Sequence, residues 1–499
     1  MPANILPLYV VIALGAAFLI SLCGKKIKPL SGILANLATF ALLMLSVYSI
    51  HLVKSHRILV YKVGGWVPPI GIAMVLDGLS SFMLITVNAV SFLVTIYSLN
   101  YIERYTDKWK FYTLFMLLLA GLNGLIVTGD LFNLFVFLEI ASIASYALVA
   151  FGTEAEELEA AFKYSVMSSV ASSFILLGIA LIYSYTSTLN MADMAGVLSQ
   201  RPDNLVVPFV GVLLLMGFCL KSALVPFHAW LPDAHPSAPA PISAMLSGVF
   251  IKTLGVYAFC RVFFNVFGMT PSLFQILRML GAVSMIVGAV LALAQSDIKR
   301  MFAYSSISQV GYIIFALGLA TPLAILAGLF HLFNHAFFKS LLFLNSGAIE
   351  YATNTRDLKR LGGLMRQLPV TGYTSLLACV SIAGIPPLGG FWSKLLIIFA
   401  AIQAKYFGLA MTAVLVSIIT LAYYLKFMGF TFFAKPGVER IETIKEVPGP
   451  MRFAMVILAI ICVFTGVLLL PRLAPFLNSA AEVLLSGRGY AQVVFNALK

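Results

Sequence analysis

Apolar runs of about 20 residues, each able to cross a hydrocarbon core roughly 30 Å thick, recur from one end of this sequence to the other. Inside such a core every backbone N–H and C=O must be satisfied by the chain itself, so runs of this length dictate a bundle of helices. Composition agrees: of 499 residues, 61% are hydrophobic and 10% charged, with a mean hydropathy of +1.00. An average soluble domain carries about 25% charged residues. The expected fold class is therefore all-α integral membrane.

The spans read as 4–22, 30–50, 74–98, 110–128, 131–151, 163–186, 206–225, 239–263, 273–294, 300–319, 322–347, 369–401, 407–432 and 452–471, about fourteen in all. The connections are short, which leaves no room for a soluble catalytic domain. The first run carries no basic residue before it, and Lys25, Lys26 and Lys28 follow it, the reverse of a secretory signal. It reads as a retained first helix. Loops after odd-numbered spans hold about 17 Lys and Arg, the other loops and the tail about 9. The odd loops are thus expected in the cytoplasm and both termini on the outer side.

The formal charge of +13 is spread over short loops, where it sets topology and gives no nucleic-acid-binding face. Cys23, Cys219, Cys260, Cys379 and Cys462 are scattered without a C-x-x-C pair, so no iron–sulfur or haem ligation is expected, and no cofactor.

Two spans are interrupted. The seventh runs through Gly217 to Lys221, then meets Pro226 and the proline-rich stretch Pro232–Pro241. The twelfth contains Gly384-Ile-Pro386-Pro387-Leu-Gly389-Gly390 before Lys394. Proline lacks the donor a helix needs, so both should break at membrane depth. Interrupted spans in corresponding halves point to inverted repeats around a central site. Lys221 and Lys394 are 173 residues apart, and Lys252 and Lys426 are 174 apart, which pairs spans five helices distant.

A charge at the bilayer centre costs about 2.5–3.5 kcal/mol on insertion scales. Glu139, Lys221, Lys252, His331, His335, Lys339 and Lys394 all fall deep in apolar spans. Lys426, near a span end, reads as snorkelling to the interface or as a structural ion pair. Ion pairs that merely lock helices should match in sign, yet four deep lysines and two histidines face one deep glutamate. Burial disfavours the charged amine and a neighbouring carboxylate favours it, so a lysine held between them is a proton-loading site. His331, His335 and Lys339 recur every fourth residue, on one helix face and over about 12 Å, as a proton wire requires. A metal site at H-x-x-x-H is the weaker reading, because no neighbouring Glu, Asp or Cys completes it. His228, Asp233 and His235, between spans seven and eight, leave two readings open: a proton entrance, or hydrogen-bond partners for irregular backbone.

These segments resemble the antiporter-like subunits shared by respiratory complex I, Mrp-type cation/proton antiporters and membrane-bound hydrogenases. The resemblance is carried by Lys221–Ala244, beginning Lys-Ser-Ala-Leu-Val-Pro-Phe-His, by Ser296–Gly311, and by His331-Leu-Phe-Asn-His-Ala-Phe-Phe-Lys339. It implies fourteen helices, with spans 4–8 and 9–13 as inverted repeats, and hence divisions at 1–109, 110–264, 265–432 and 433–499. It implies that Glu139 and Lys221 form a pair, that Lys252 and the His331–His335–Lys339 relay follow, and that Lys394 is the terminal group. Lysine at 394 departs from the glutamate of some complex I members, and the short tail after the last span leaves no long lateral helix. Length and motifs look most similar to the D-type member of Mrp antiporters and its hydrogenase relatives.

The implied function is proton translocation within a multisubunit complex of the prokaryotic cytoplasmic (inner) membrane. No redox chemistry is expected in this chain itself, which on this reading serves either an antiporter or a redox-driven pump. Other membrane subunits are the expected partners, with protons along the axis and Na⁺ left to those subunits. The alternative is a self-contained secondary transporter of a small anionic solute.

Overall fold

The computed structural model describes residues 2–27, 29–105, 107–200, 205–435 and 444–498; Lys28 lies outside them. Twelve helices among these residues are long and apolar enough to cross a membrane. In chain order the helices are α1 (Leu8–Cys23), α2 (Leu30–His56), α3 (Gly78–Tyr101), α4 (Lys108–Val127), α5 (Leu131–Val149), α6 (Ala155–Thr186) and α7 (Met191–Gln200). They continue as α8 (Val206–Lys221), α9 (Leu231–Ser237), α10 (Ala240–Phe267), α11 (Pro271–Ala294), α12 (Ile298–Gly318) and α13 (Pro322–Thr353). The remainder are α14 (Pro369–Ala383), α15 (Gly389–Gln403), α16 (Phe407–Phe433), α17 (Gly449–Phe464), α18 (Ala474–Leu485) and α19 (Tyr490–Leu498).

Many starts are chemically marked. Asp77, Asp130, Thr270, Asp297 and Thr321 each accept a hydrogen bond from a backbone N–H one turn on, satisfying an orphan donor of a helix N-terminus. Glu154 and Glu157 make a reciprocal cap that starts α6 at Ala155, earlier than the expected 163. The acidic run there reads as loop by hydropathy, but caps a helix.

The helices are not equivalent. α10, α12 and α13 are buried along nearly their whole length, whereas α1, α2, α6 and α16 expose apolar faces such as Phe18, Leu37, Phe162 and Leu425. The buried trio is where the ionisable residues concentrate. α10 is also wound as π-turns over Leu246–Phe250, Lys252–Tyr257 and Cys260–Phe267, a geometry that collects at functional sites.

One departure from an all-helical chain is a small antiparallel ladder between α2 and α3. Strands Leu59–Lys62 and Ala73–Leu76 pair with Leu59 opposite Leu76 and Lys62 opposite Ala73. The short turn Pro2–Ile5 and helix α19 both rest on the first strand, so the two ends of the described chain meet at one end of the bundle.

Both expected breaks are present. α8 stops at Lys221, Ala223 takes a left-handed conformation, and helix resumes at Leu231. The indole of Trp230 donates to the Leu220 carbonyl at 3.2 Å, and the Val225 N–H donates to Ser284 Oγ at 3.1 Å, satisfying backbone groups that water cannot reach. α14 ends at Gly384, whose φ of +86° closes the helix as a side chain could not without strain. The Ser417 hydroxyl donates to the freed Ala383 carbonyl at 3.1 Å. Lys221 is the last helical residue before its break, while Lys394 lies in the second turn of α15, after its break. The 173-residue lysine spacing therefore does not superpose the two breaks.

Candidate functional site

Lys221 is enclosed by α5 and α6. Its ammonium lies 3.5 Å from Glu139 Oε1 and donates to Ser142 Oγ at 3.0 Å and Ser168 Oγ at 2.5 Å. Ser172 donates to the same Glu139 oxygen, so one carboxylate is shared by a lysine and a hydroxyl. Ser168 and Ser172 are four apart and thus on one face of α6. Glu139 keeps 26% of its side chain exposed while Lys221 is buried.

The next three lysines have a different environment. Lys252 donates to the carbonyl of Ser247, five residues back within the π-turns, and the Ser247 hydroxyl pairs with that of Ser306 at 2.6 Å. Lys339 donates to the Phe302 carbonyl at 2.8 Å and to the Tyr424 hydroxyl at 3.3 Å. Lys394 donates to Ser417 Oγ at 3.1 Å and sits 5.1 Å over the Tyr312 ring. None of the three has a carboxylate within ion-pair distance among the described residues.

His331 and His335 lie on α13 with their rings 6.3 Å apart, both within electrostatic reach of Lys252 and Lys394. His331 Nδ1 pairs with Ser393 Oγ at 2.9 Å, and Tyr312 lies 5.6 Å from the same ring. Adjacent residues of α15, Ser393 and Lys394, thus join the broken helix to the histidine file. His331 Nε2 and both nitrogens of His335 have no hydrogen-bond partner among the described residues.

The three residues between α8 and α10 separate. Asp233 faces outward, in ion pairs with Lys163 at 3.4 Å and Arg300 at 3.5 Å. His228 is half-buried, 6.5 Å from the Tyr304 ring. His235 is fully buried, stacked on Phe343 at 4.4 Å, within electrostatic reach of Lys339, Lys252 and Lys299. Lys426 donates to the Leu293 and Gln295 carbonyls at 2.8 and 2.9 Å, where it caps the end of α11.

Sequence reasoning missed the serines around Lys221 and Lys394, whose only signal is a four-residue spacing on α6. It also missed two charged networks. Arg261 and Asp77 are both buried and 2.5 Å apart, with Arg261 donating to the Tyr257 hydroxyl at 3.0 Å. Near the opposite end of α10, Lys299 pairs with Glu350 at 2.9 Å, and Arg356 with Asp297 at 3.3 Å. Asp77 and Glu350 thus place a paired carboxylate toward each end of α10, in addition to the deep glutamate evident in the sequence.

Buried amines held by hydroxyl and carbonyl oxygens, with buried imidazoles on α13 and two broken helices beside them, are the arrangement of an ion-translocating membrane subunit. The chain belongs to the family described as NADH:quinone oxidoreductase/Mrp antiporter, transmembrane, which matches residues 128–420; a complex I chain 5 N-terminal family matches 66–112. Among its relatives, the D-type subunit of a Na⁺/H⁺ antiporter from Alkalihalophilus pseudofirmus is 35% identical, over 86% of this chain and 87% of that one. A chain in the Mrp complex of Dietzia sp. superposes with a TM-score of 0.92 at 26% identity, each chain covered in full. A chain of a membrane-bound sulfane sulfur reductase, an archaeal respiratory membrane complex, superposes at 0.90 with 32% identity, over 98% of this chain and 99% of that one. The chain is thus a multi-pass membrane protein of an antiporter family.

Proposed function

We propose that this chain is a proton-translocating component of a multisubunit membrane complex, an Mrp-type Na⁺/H⁺ antiporter or a redox-driven relative. Its site in the prokaryotic inner membrane would have both termini on the outer side and fourteen spans, counting each broken pair α8–α9 and α14–α15 as one. On this reading 110–264 and 265–432 are the two inverted five-helix repeats, flanked by 1–109 and 433–499.

The observation that carries the reading is that one of the four deep lysines is ion-paired and three are not: Lys221 has Glu139 at 3.5 Å, while Lys252, Lys339 and Lys394 are held by neutral oxygens. With Glu139 close, Lys221 keeps its proton. When the pair separates, the ammonium loses its stabilising partner and the proton moves toward Lys252 and the His331–His335–Lys339 file, with Lys394 as the terminal group. Each tenfold change in proton affinity is about 1.4 kcal/mol, so a thousandfold change supplies about 4 kcal/mol of bias. Redox chemistry and sodium belong to partner subunits, since the deep spans offer few carboxylate oxygens.

The test is proton transport by the intact complex in liposomes carrying Lys221→Ala or Glu139→Ala. Both should lose transport by at least tenfold while the complex still assembles; full transport in both would sink the mechanism.

A further inference from the structure

The proposed relay needs a place where protons from water reach it, and the bundle has a cavity at the right end. It measures about 430 Å³ and is lined by Glu157, Ser237, Ala238, Lys299, Glu350 and Arg356, among others. At its floor the buried Lys299 ammonium is held between Glu350 Oε2 at 2.9 Å and the Ala238 carbonyl at 3.1 Å. Arg356 approaches the other Glu350 oxygen at 3.6 Å and donates to the Pro236 carbonyl.

The wall between this cavity and the relay is the end of α9 and Ala238 just beyond it. Pro236, Ser237 and Ala238 face the cavity, while His235 lies on the core side. His235 is wholly buried, both ring nitrogens lack a hydrogen-bond partner among the described residues, and Lys299, Lys252 and Lys339 are the cations within its electrostatic reach. A neutral imidazole uses one nitrogen as donor and one as acceptor, so a histidine with both free and several amines around it is equipped to pass a proton across. A purely structural histidine would be expected to satisfy at least one nitrogen.

We infer that the Glu350–Lys299 pair is the loading site of the relay, and that His235 is the first group behind it. A proton from water in the cavity bonds to a Glu350 oxygen and cancels the charge that holds Lys299. The Lys299 ammonium breaks one N–H bond in giving a proton to a water admitted from the cavity, which passes one of its own to a free nitrogen of His235, and the lysine then takes the Glu350 proton in its place. The ion pair re-forms, and the imported proton resides on an imidazolium that Lys252 or Lys339 can discharge when neutral. One proton enters and one is passed on, with no other co-reactant.

This inference rests on the proposed relay, and the experiment separates the two. The intact complex is reconstituted in liposomes and its initial rate of proton transport is measured. Glu350→Gln and His235→Phe should each slow transport about tenfold or more, and Glu350→Asp, which keeps a titratable carboxylate, should retain most of the rate. Should Glu350→Gln fail to assemble, Ser237→Cys in the cavity wall decides. A charged methanethiosulfonate should block its transport and a reducing thiol should restore it, with the parent chain and its exposed Cys23 as control. Unchanged transport in Glu350→Gln and His235→Phe, or no block at Ser237→Cys, overturns the loading site. If Lys221→Ala abolishes transport in that case, the relay stands and only its entrance is misplaced; if it too is silent, the relay itself fails.

Discussion

Lys221 and Lys394 are both buried amines beside a helix break, yet they are held in opposite ways. Lys221 has a formal counter-charge, Glu139, and two further hydroxyls in a serine cage. Lys394 has a single hydroxyl and the face of a tyrosine. A paired buried charge is costly to split, whereas an unpaired one is costly to keep, and replacing it with an apolar group of similar size relieves that cost. Breaking the first site therefore orphans a carboxylate, whereas replacing the second orphans none. Two lysines that match in sequence spacing thus have contrasting partners.

The sharpest way to break this comparison is to remove each partner and follow both transport and thermal unfolding of the purified complex. Lys394→Met should abolish transport, by at least tenfold, yet leave the protein as stable as the parent or up to about 2 kcal/mol more so, because no carboxylate is orphaned. A marked loss of stability would mean that Lys394 has a counter-charge after all. Glu139→Gln should lose transport as well, but destabilise by about 2–3 kcal/mol, less than for a fully dry pair because Glu139 is partly exposed. An unchanged melting temperature there would erase the distinction between the sites.

Ser417→Ala tests the second site more finely. This hydroxyl donates to the Ala383 carbonyl and accepts from Lys394, so its loss leaves both the break and the amine short of a partner. We expect about 1–2 kcal/mol of destabilisation and a several-fold fall in transport. Trp230→Phe is the corresponding change at the first break. A phenyl ring still faces Tyr164, which the indole stacks on at 4.3 Å, while the donor to Leu220 and part of the packing are lost, at about 1–2 kcal/mol with transport largely retained. Lys426→Ala should have the smallest effect, under about 1 kcal/mol and with no change in transport, since its ammonium caps two carbonyls at the end of α11.

The bundle is legible in the sequence because the lipid core imposes its length on every span, and a run of apolar side chains records that length directly. Proline and glycine record the breaks for the same reason, as the residues whose backbone chemistry cannot sustain a helix. The sequence is less informative where structure depends on contacts between distant segments. Leu59–Lys62 and Ala73–Leu76 are too short to signal strands alone, and their pairing is visible only when they are opposed. Serine is common in membrane helices, so nothing marks Ser142 or Ser417 until a lysine is found beside it. Lys299 and Glu350 stand near helix ends, where charge is ordinary; their pairing over a cavity is a property of the folded molecule. The lysine spacing does not align the two breaks, which fall after Lys221 but before Lys394.

The burial of α10 has a consequence for how such a chain is made. Its walls include α13, and Asn265 near its end donates to the carbonyls of Val483 and Gly487 at 2.7 and 3.2 Å. Those partners are translated long after α10 has left the ribosome. During that interval a helix carrying Lys252 and Arg261 has α3, α4 and α8 beside it but lacks the wall that α13 and α18 supply, and a charge left facing lipid at the bilayer centre costs about 2.5–3.5 kcal/mol. The insertion machinery must shelter it until the last turns of the chain arrive, so a nascent chain cut short before α18 is the form that membrane quality control should recognise and remove.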